Sequence, residues 1–443
     1  MNLVDDYSTD TFHDEPARDQ AVAVVRRLQQ AGFKALWAGG CVRDFLLGLR
    51  PSDYDVATDA VPDQVRQLFG ERHTLAIGAA FGVILVRGPG GVGDVEVATF
   101  RTEGPYNDGR RPERVVFSTP EEDAQRRDFT INGLFYDPLS EQLFDYVGGR
   151  DDLRRKVLRA IGDPLERFTE DKLRILRAVR ISSRFGLELD VGTAEAIRQM
   201  ANQITVVSQE RIAQELKKIL THPTRRQAIE RGATLGILEV VIPELREAMI
   251  GRSTSAVSHE TPFVDWLATL DALGHLNSPD FELGLATLLL PIGGAGNRPA
   301  AAKIAAQICR RLKLSTVEGE QTSWLVERVS ALEEMPGATL AMQKKLLGHR
   351  WGRNLIALSR AVAIARGGPP TSAEYCERFL DGLSERELRP EPVVTGDDLI
   401  RMQLSPGKRF KEILGTLYDL QLEGEIENRE EGLKWISDHL KDG

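Results

Sequence analysis

The stretch GGCVRDFLLGLRPSDYDVAT, residues 39–58, decides the fold, because a glycine pair ends one apolar strand and opens a helix that leads into a second strand. A turn at Gly39 and Gly40 lets backbone N–H groups approach a phosphate closely, and the helix N-terminus adds a favourable dipole. Arg43 lies in that helix and can reach the same anion. Most glycine pairs before a helix are only turns, so the pair is weak evidence by itself. The residues that follow strengthen it.

Two aspartates follow this turn and helix. Asp53 and Asp55 are two residues apart, so on a strand they project from one face. A solvated edge strand would tolerate the pair, but the run YDVAT is otherwise apolar, and burial of an uncompensated pair is unfavourable. A magnesium ion bound between the two carboxylates would neutralise their charge and remove this cost of burial. A later strand, DVEVATF, offers Glu96 as a third carboxylate, with Asp94 as the competing choice. Three carboxylates around two metal ions form a template for phosphoryl or nucleotidyl transfer.

The rest of the chain separates into two kinds of pattern. From about residue 20 to 150, helical and strand patterns alternate, and LFYDPL with LFDYVGG predicts a closing hairpin. After Arg150, nearly every segment has the spacing of an amphipathic helix. We therefore predict an α+β protein, with a small α/β head on a mixed sheet followed by a long all-α part.

Composition excludes several classes of protein. The 443 residues contain no apolar run near the ~20 residues that span a bilayer and no signal-peptide core, so we expect a cytoplasmic protein. Cys41, Cys309 and Cys376 lie far apart without a CxxC motif, which leaves carboxylates as the metal ligands. The net charge of -9 argues against a protein that coats nucleic acid non-specifically, although local basic surfaces remain. Each basic cluster alone is most simply a solvated helix face.

A second group of polar residues lies in RRDFTINGL, residues 126–134. An isolated string of this kind is often only a charged turn before a core segment. Near a nucleotide, its donors and acceptors suit ribose hydroxyls and phosphates. The candidates are Arg126, Arg127, Asp128 and Asn132.

A third group lies in GDPLERFTEDKLRILRAVRISSRFG, residues 162–186, which predicts one helix with Asp171, Arg174 and Arg177 on one face. A surface ladder of ion pairs is the simpler interpretation. The functional one is that an aspartate acceptor beside an arginine donor matches cytosine and adenine, which present an amine beside an acceptor nitrogen, and not uracil or guanine.

These motifs, in this order, resemble those of the class II tRNA nucleotidyltransferases, the CCA-adding enzymes, and of the related bacterial poly(A) polymerases. The resemblance covers residues from about 33 to 222 and includes GGxVRD, DxD, RRDFTIN, EDxLRxLR and SQERIAQELKKIL. It implies a polymerase-beta-like nucleotidyltransferase head and an elongated helical remainder. The implied domains are a catalytic head at 1–150, a base-recognising neck at 151–222, a body at 223–367 and a tRNA-binding tail at 368–443.

The family's roles can be placed on the matching positions. The resemblance implies that Gly39, Gly40 and Arg43 hold the triphosphate, that Asp53 and Asp55 bind two Mg²⁺ ions, and that Glu96 is the third catalytic carboxylate. It implies further that Arg126, Arg127, Asp128 and Asn132 contact the ribose and phosphates, and that Asp171 and Arg174 read the base with support from Arg177 and Arg211. The candidate tRNA contacts are Arg211, Lys217, Lys218, Lys408 and Arg409.

Some segments depart from the family pattern. Gly133 replaces the usual alanine, and Ala79 with Ala80 stand where bacterial poly(A) polymerases have two arginines. The segment at 266–294 resembles an HD phosphohydrolase domain in which Leu290 and Pro291 replace the metal-binding His-Asp pair, so we expect it to be structural or to bind tRNA.

The expected function is addition of CMP and AMP, from CTP and ATP, to the 3′ end of tRNA, with the acceptor arm as the partner. The loop TEGPYNDGRRPERV, residues 102–115, matches the loop that the family needs to switch from CC to A addition, and its full length argues against a CC-only enzyme. The alternatives are an A-adding specialist, a poly(A) polymerase and an inactive RNA-binding protein.

Overall fold

The computed structural model describes residues 15–78, 82–88, 90, 93–103, 115–250, 264–293 and 297–439. Proximity of Cα atoms divides the chain into two compact units. The first consists of Met1–Glu215 and Gln227–Val241, and the second of Leu216–Arg226 and Ile242–Gly443.

The first unit begins with alternating helices and strands. They are α1 (Pro16–Gln30), β1 (Ala35–Ala38), α2 (Gly40–Leu46), β2 (Asp55–Thr58), α3 (Pro62–Phe69), β3 (Thr74–Gly78), β4 (Val83–Val86), β5 (Val95–Thr99), β6 (Arg101–Glu103), β7 (Val115–Phe117), α4 (Pro120–Gln125), β8 (Leu134–Asp137) and β9 (Gln142–Asp145).

Seven of these described strands form one mixed sheet in the order β3-β4-β5-β2-β1-β8-β9, and β6 pairs with β7 separately. The predicted hairpin is confirmed, since β8 and β9 pair antiparallel. The sheet is mixed because β2 lies parallel to β5 while its other neighbour, β1, is antiparallel. This parallel register sets Asp55 directly opposite Glu96.

The sheet is anchored by aromatic side chains. Trp37 on β1 is fully buried and packs against Tyr54 with 4.8 Å between ring centroids. On the other face of β1, Leu36 and Ala38 belong to an apolar cluster that includes Phe135 on β8. Because apolar side chains pack on both faces of β1, this strand is fully buried within the head.

One prediction about this region is wrong in detail. The pair Asp53 and Asp55 does not share a strand, because β2 begins at Asp55 and Asp53 lies in the segment before it. Pro51 and the exposed Ser52 and Asp53 precede the strand without pairing to a neighbour.

The first unit continues with mostly helical elements. They are α5 (Gly149–Arg154), β10 (Val157–Leu158), α6 (Pro164–Glu170), α7 (Leu173–Phe185), β11 (Glu188–Leu189), α8 (Val191–Met200) and α11 (Leu238–Val241), with α9 (Gln209–Leu220) and α10 (Arg225–Thr234) contributing residues to both units.

The predicted single helix over 162–186 is wrong, because α6 ends at Glu170 and α7 begins at Leu173. Asp171 has extended backbone angles, φ -144° and ψ 104°. Its carboxylate accepts a hydrogen bond from the backbone N–H of Leu173 at 3.0 Å. Asp171 therefore ends α6, and its side chain accepts from the first residue of α7, a local contact that helical spacing does not reveal.

The described part of the second unit is helical. Its remaining helices are α12 (Arg246–Met249), α13 (Trp266–His275), α14 (Phe281–Leu288), α15 (Arg298–Arg311), α16 (Thr316–Arg328), α17 (Leu340–Leu347), α18 (Gly352–Ala365), α19 (Thr371–Asp381), α20 (Glu385–Leu388), α21 (Gly396–Arg401), α22 (Lys408–Glu423) and α23 (Arg429–His439).

The HD-like segment contributes to the core of this unit. Leu290 is fully buried, and its carbonyl accepts a hydrogen bond from the guanidinium of the buried Arg298 at 3.3 Å. The last helices surround their own apolar cluster around Leu399 and Ile436. The α/β head and helical remainder confirm the expected fold class, whereas the boundaries at 150, 222 and 367 stay predictions.

Across the described ranges, the structure contains no helix of the length and apolarity that crossing a membrane requires.

A substitution at Gly149 tests how closely α5 packs against the backbone of the head. A Cβ atom there would lie 2.2 Å from the carbonyl oxygen of Thr130, so the backbone would have to shift. We expect Gly149→Ala to lower the free energy of unfolding by about 1–3 kcal/mol, measured by urea denaturation. Gly232→Ala in α10 is the matched control, because its Cβ would meet only Val179 at 3.9 Å. Equal unfolding midpoints for the two variants would contradict the packing described here.

Candidate active site

One cavity of about 540 Å³ in the first unit collects most of the candidate residues. Six arginines and four aspartates line it, so it is charged and suits a polyanion that carries a metal. The lining residues are Gly39, Gly40, Arg43, Asp53, Asp55, Arg126, Arg127, Asp128, Asn132, Asp171, Leu173, Arg174, Arg177 and Arg211.

The glycine turn forms one wall of the cavity. Gly39 precedes α2 with φ +73°, a conformation that other residues rarely adopt. A Cβ atom at Gly39 would also stand 2.6 Å from Nη1 of Arg127, so any larger residue would displace this guanidinium from its present position. The turn therefore places backbone and arginine donors side by side, which is the arrangement that a phosphate needs.

The carboxylates lie at the start of β2. Burial, together with the charges of Asp53 and Glu96, raises the pKa of Asp55 to about 7, although Arg127 acts in the opposite direction. Hard carboxylate oxygens held together in this way are ligands that magnesium accepts, since it binds one or two carboxylates and keeps water and phosphate oxygens. The donor chemistry of Asp53 and Asp55 thus fits Mg²⁺.

Glu96 and Asp94 differ in their surroundings. Glu96 lies opposite Asp55 in the sheet but does not line the cavity. Asp94 instead precedes β5, where its carboxylate accepts a hydrogen bond from the backbone N–H of Gly88 at 3.1 Å. The register therefore favours Glu96 over Asp94. Among the residues that the structure describes, no three His, Cys, Asp or Glu side chains are arranged as a metal site.

One buried carboxylate holds two of the arginines. Asp123 on α4 is 1% exposed and accepts hydrogen bonds from Nη2 of Arg126 at 2.7 Å and from Nη2 of Arg127 at 2.9 Å. Burial would raise the pKa of Asp123, but the charges and hydrogen bonds of Arg127 and Arg126 lower it below its ordinary value. Both guanidinium groups are thereby fixed from behind while they line the cavity.

A second carboxylate connects different elements. Oδ1 of Asp128 accepts a hydrogen bond from the backbone N–H of Phe129 at 2.8 Å and another from the side-chain amide of Asn132 at 2.9 Å. Its Oδ2 binds Arg177 of α7, with Nε at 2.8 Å and Nη2 at 2.6 Å. Burial would raise the pKa of Asp128, but Arg177 and Asn132 hold it well below its usual range. Arg177 is thus tied to the motif at 126–132.

The pair expected to read the base is also held by neighbours. Asp171 accepts from both terminal nitrogens of Arg211, at 3.1 and 2.7 Å. Arg174 donates to Glu170 at 2.5 Å and to the backbone carbonyl of Arg126 at 3.2 Å. The two side chains therefore occupy fixed positions on the cavity wall, and they come from a helix junction and the first turn of a helix.

The structure does not bring all the candidates to this cavity. Lys217, in the second unit, forms an ion pair with Glu318. Lys408 is 93% exposed and faces Glu412 at 3.8 Å. Lys218 and Arg409 are exposed. Arg211, a candidate tRNA contact, instead lies in the cavity beside Asp171.

Two predictions concern residues outside the described ranges. The distinction from poly(A) polymerases depends on Ala79 and Ala80, which lie outside them. The loop matched at 102–115 lies outside them for the most part, at 104–114.

The carboxylates behind the arginines, Asp123, Glu170 and Asp44, were not among the residues predicted from the sequence. Asp123 precedes Arg127 by four residues, and Glu170 precedes Arg174 by four, so helical ion-pair spacing was a usable signal. Asp44 lies next to Arg43 and binds it, but adjacency in sequence carries no such signal.

Family models match two parts of the chain. Residues 35–159 match the "Poly A polymerase head domain", and residues 186–249 match the "Probable RNA and SrmB- binding site of polymerase A". The first match contains the glycine turn, the carboxylates and the RRDFTIN motif.

The chain is similar to curated proteins over nearly its whole length. It is 31% identical over 427 residues to a CCA-adding enzyme of Geobacillus stearothermophilus, covering 95% of this chain and 97% of that protein. It is 32% identical over 422 residues to a CCA-adding enzyme of Limosilactobacillus fermentum, covering 94% of each. Among solved structures, a Bacillus stearothermophilus CCA-adding enzyme in complex with CTP matches with TM-score 0.77 and 27% identity, covering 97% of this chain and 100% of that one.

Asp123 provides a test of how the arginines are held. Because the pKa of Asp123 is lower in the folded protein than in the unfolded chain, its ion pairs stabilise the fold above about pH 4 and lose this effect as the pH falls through the lowered value. We expect Asp123→Asn to lower the free energy of unfolding by about 3 kcal/mol at pH 7, measured by urea denaturation, with a smaller difference from wild type below pH 4.

Asp151→Asn is the control, because Asp151 is 72% exposed and its partner Arg154 is 50% exposed. We expect this variant to change the free energy of unfolding by less than about 0.5 kcal/mol at either pH. A difference between wild type and Asp123→Asn that stays constant from pH 7 to pH 3 would contradict the assignment.

Proposed function

The chain belongs to the family of CCA-adding enzymes and poly(A) polymerases, and we propose that it adds CMP and AMP, taken from CTP and ATP, to the 3′ end of tRNA. The reaction is attack of the terminal 3′-hydroxyl on the α-phosphate, with pyrophosphate as the leaving group. The observation that carries this proposal is that one cavity holds both a metal-type carboxylate pair and an aspartate–arginine pair suited to a nucleobase.

The triphosphate would lie against the glycine turn. Backbone N–H groups near Gly40 and the guanidinium of Arg43 line this part of the cavity, where they can donate to phosphate oxygens. Arg126 and Arg127 would bind the ribose and the remaining phosphates. Asp128 lies on the same wall, where a ribose hydroxyl would share one of its oxygens with Asn132 or Arg177.

Asp53 and Asp55 would hold Mg²⁺, with Glu96 as the third carboxylate of a site for two ions. When bound, the metal lowers the pKa of the attacking hydroxyl and neutralises charge on the leaving pyrophosphate. The contribution of the chain itself is mainly to fix the nucleotide and to keep positive charge where phosphate charge develops.

Base selection would rest on Asp171 and Arg174. The aspartate accepts from the exocyclic amine of cytosine or adenine, and the arginine donates to the adjacent ring nitrogen. Uracil and guanine present the reverse pattern and would leave both side chains without partners, which is costly in an enclosed site. The geometry supports this role because Arg211 and Glu170 hold the two groups in place before a nucleotide binds.

The helical remainder would bind the acceptor arm of tRNA through its backbone and shape, because the enzyme must accept every tRNA. The neck predicted at 151–222 carries the base-reading pair, and the body and tail at 223–367 and 368–443 would hold the RNA. In the tail, Lys408 and Arg409 at the start of α22 are exposed and suit phosphate contacts.

The products distinguish this function from its alternatives. We expect the chain, with Mg²⁺, CTP and ATP, to extend tRNAs ending in N, NC or NCC to a complete CCA end and then stop, as read by sequencing of the products. Addition of A to NCC alone would indicate an A-adding enzyme, and long A tails on an unrelated RNA a poly(A) polymerase. Absence of any incorporation would contradict the proposal.

The carboxylate pair provides the mechanistic test. We expect Asp53→Ala and Asp55→Ala each to reduce incorporation by about 10²–10³-fold or more, because metal binding at the reacting phosphate is lost. Thermal unfolding and tRNA binding, measured by filter retention, should change little. Asp94→Ala is the matched control, since its side chain binds only the backbone of Gly88 among the contacts described. Activity in Asp55→Ala equal to that of the control would contradict the role of the pair.

A further inference from the structure

A continuous chain of hydrogen bonds runs through the floor of the cavity and connects its two ends. We call it the polar relay, and its members in order are Asp44, Arg43, Asn132, Asp128 and Arg177. Asp44 is the one member that does not line the cavity. The relay begins on α2 beside the glycine turn and ends on α7 beside the base-reading pair.

Asp44 holds Arg43 from behind. Its Oδ1 accepts hydrogen bonds from Nε of Arg43 at 2.8 Å and from Nη2 at 2.6 Å. Both residues are buried, with Asp44 4% and Arg43 8% exposed. The other carboxylate oxygen of Asp44 faces Arg184 at 3.8 Å. Two nitrogens of Arg43 are thus occupied by one carboxylate.

The remaining sides of the Arg43 guanidinium are also fixed. The ring of Phe185 lies 4.3 Å from its central carbon, a stacking distance for a cation and an aromatic face. The third nitrogen, Nη1, donates to the amide oxygen of Asn132 at 2.6 Å. Arg43 consequently has little freedom to change rotamer before a phosphate binds.

Asn132 transmits this order to the other end of the cavity. Its amide oxygen accepts from Arg43, and its amide nitrogen donates to Asp128 at 2.9 Å. If the amide of Asn132 were rotated by 180°, its NH₂ group would face the Arg43 guanidinium and its oxygen would face the Asp128 carboxylate. Only the observed orientation therefore satisfies both neighbours. Asp128 in turn binds Arg177 through its second oxygen.

We propose that Asp44 is a positioning residue, which fixes Arg43 for the nucleotide triphosphate and, through Asn132 and Asp128, couples the triphosphate end of the cavity to Arg177. This inference rests on the proposed function, because it assigns Arg43 to the triphosphate of CTP and ATP. The triphosphate is common to both nucleotides, so loss of Asp44 should weaken both equally and leave base selection intact.

The test uses the full-length chain with Asp44→Asn, which keeps the shape of the side chain and removes its charge. We expect KM for CTP and for ATP to rise by the same factor, about tenfold, because Arg43 loses two charge-assisted hydrogen bonds. The ratio of CTP to UTP incorporation should stay at the wild-type value. Inorganic tripolyphosphate, used as a competitive inhibitor, should bind about tenfold more weakly, whereas inhibition by cytidine should weaken by a clearly smaller factor, because the relay passes only part of the change to Arg177.

Two comparison variants make the result decisive. Phe185→Leu removes the ring but no charge and should shift KM for both nucleotides in the same direction by a smaller factor. Asp151→Asn, an exposed aspartate outside the cavity, should leave KM unchanged. If Asp44→Asn binds tripolyphosphate like wild type, or if cytidine inhibition weakens as much as tripolyphosphate inhibition, the positioning role is overturned. Phe185→Leu carries the same test if Asp44→Asn does not fold.

The coupling between Asp44 and Arg177 is measured by combining substitutions at the two positions and comparing KM values. Asp44→Asn and Arg177→Lys should be non-additive, with the KM increase of the double variant differing from the product of the single increases by more than about threefold. Asp151→Asn combined with Arg177→Lys should be multiplicative. A multiplicative result for the first pair would contradict coupling through the relay. Wild-type chain that incorporates no nucleotide would instead refute the proposed function, so the two failures are distinguishable.

Discussion

The structure of this protein depends on the pairing of buried and half-buried arginines with carboxylates around one cavity. Six arginines line that cavity, and like charges in a partly buried site repel one another strongly. Asp123, Glu170 and Asp44 lie behind them and Asp128 lies beside them on the cavity wall, and these carboxylates accept their hydrogen bonds. The arginines are consequently charged, ordered and directed at the cavity before any substrate binds, which is the condition for electrostatic catalysis without reorganisation.

The sheet is what brings these groups together. The strand order places β2 between β1 and β5, so the glycine turn that follows β1, the carboxylates at the start of β2 and Glu96 on β5 share one region. The helices that follow the head then supply Asp171 and Arg174, the pair proposed to read the base. Asp171 lies at the junction of α6 and α7, where its carboxylate accepts from the N–H of Leu173 and binds Arg211, so the group proposed to read the base is held at the break between the two helices.

Much of this arrangement was predictable from sequence, because the glycine turn, the DxD pair and the alternation of the head are local patterns. The prediction failed at the junction of α6 and α7. Asp171 interrupts the helix expected over 162–186, and its carboxylate binds the N–H of Leu173 and the guanidinium of Arg211, forty residues away. Helical spacing reveals neither contact. The positioning carboxylates were also missed. The sequence showed Asp123 and Asp44 only as members of charged segments, whereas burial to 1% and 4% exposure identifies them as structural ion-pair partners.

The central claim is that the cavity is ordered in advance to read a nucleotide by its triphosphate and its Watson–Crick edge. A crystal structure of the wild-type chain with Mg²⁺ and a non-hydrolysable CTP analogue tests it most directly. We expect the triphosphate at Gly40 and Arg43, the cytosine amine on Asp171 and its N3 on Arg174, with the guanidinium groups of the cavity displaced by less than about 1 Å from their present positions. A base that contacts neither Asp171 nor Arg174, or arginines that leave their carboxylates when the nucleotide binds, would contradict the account.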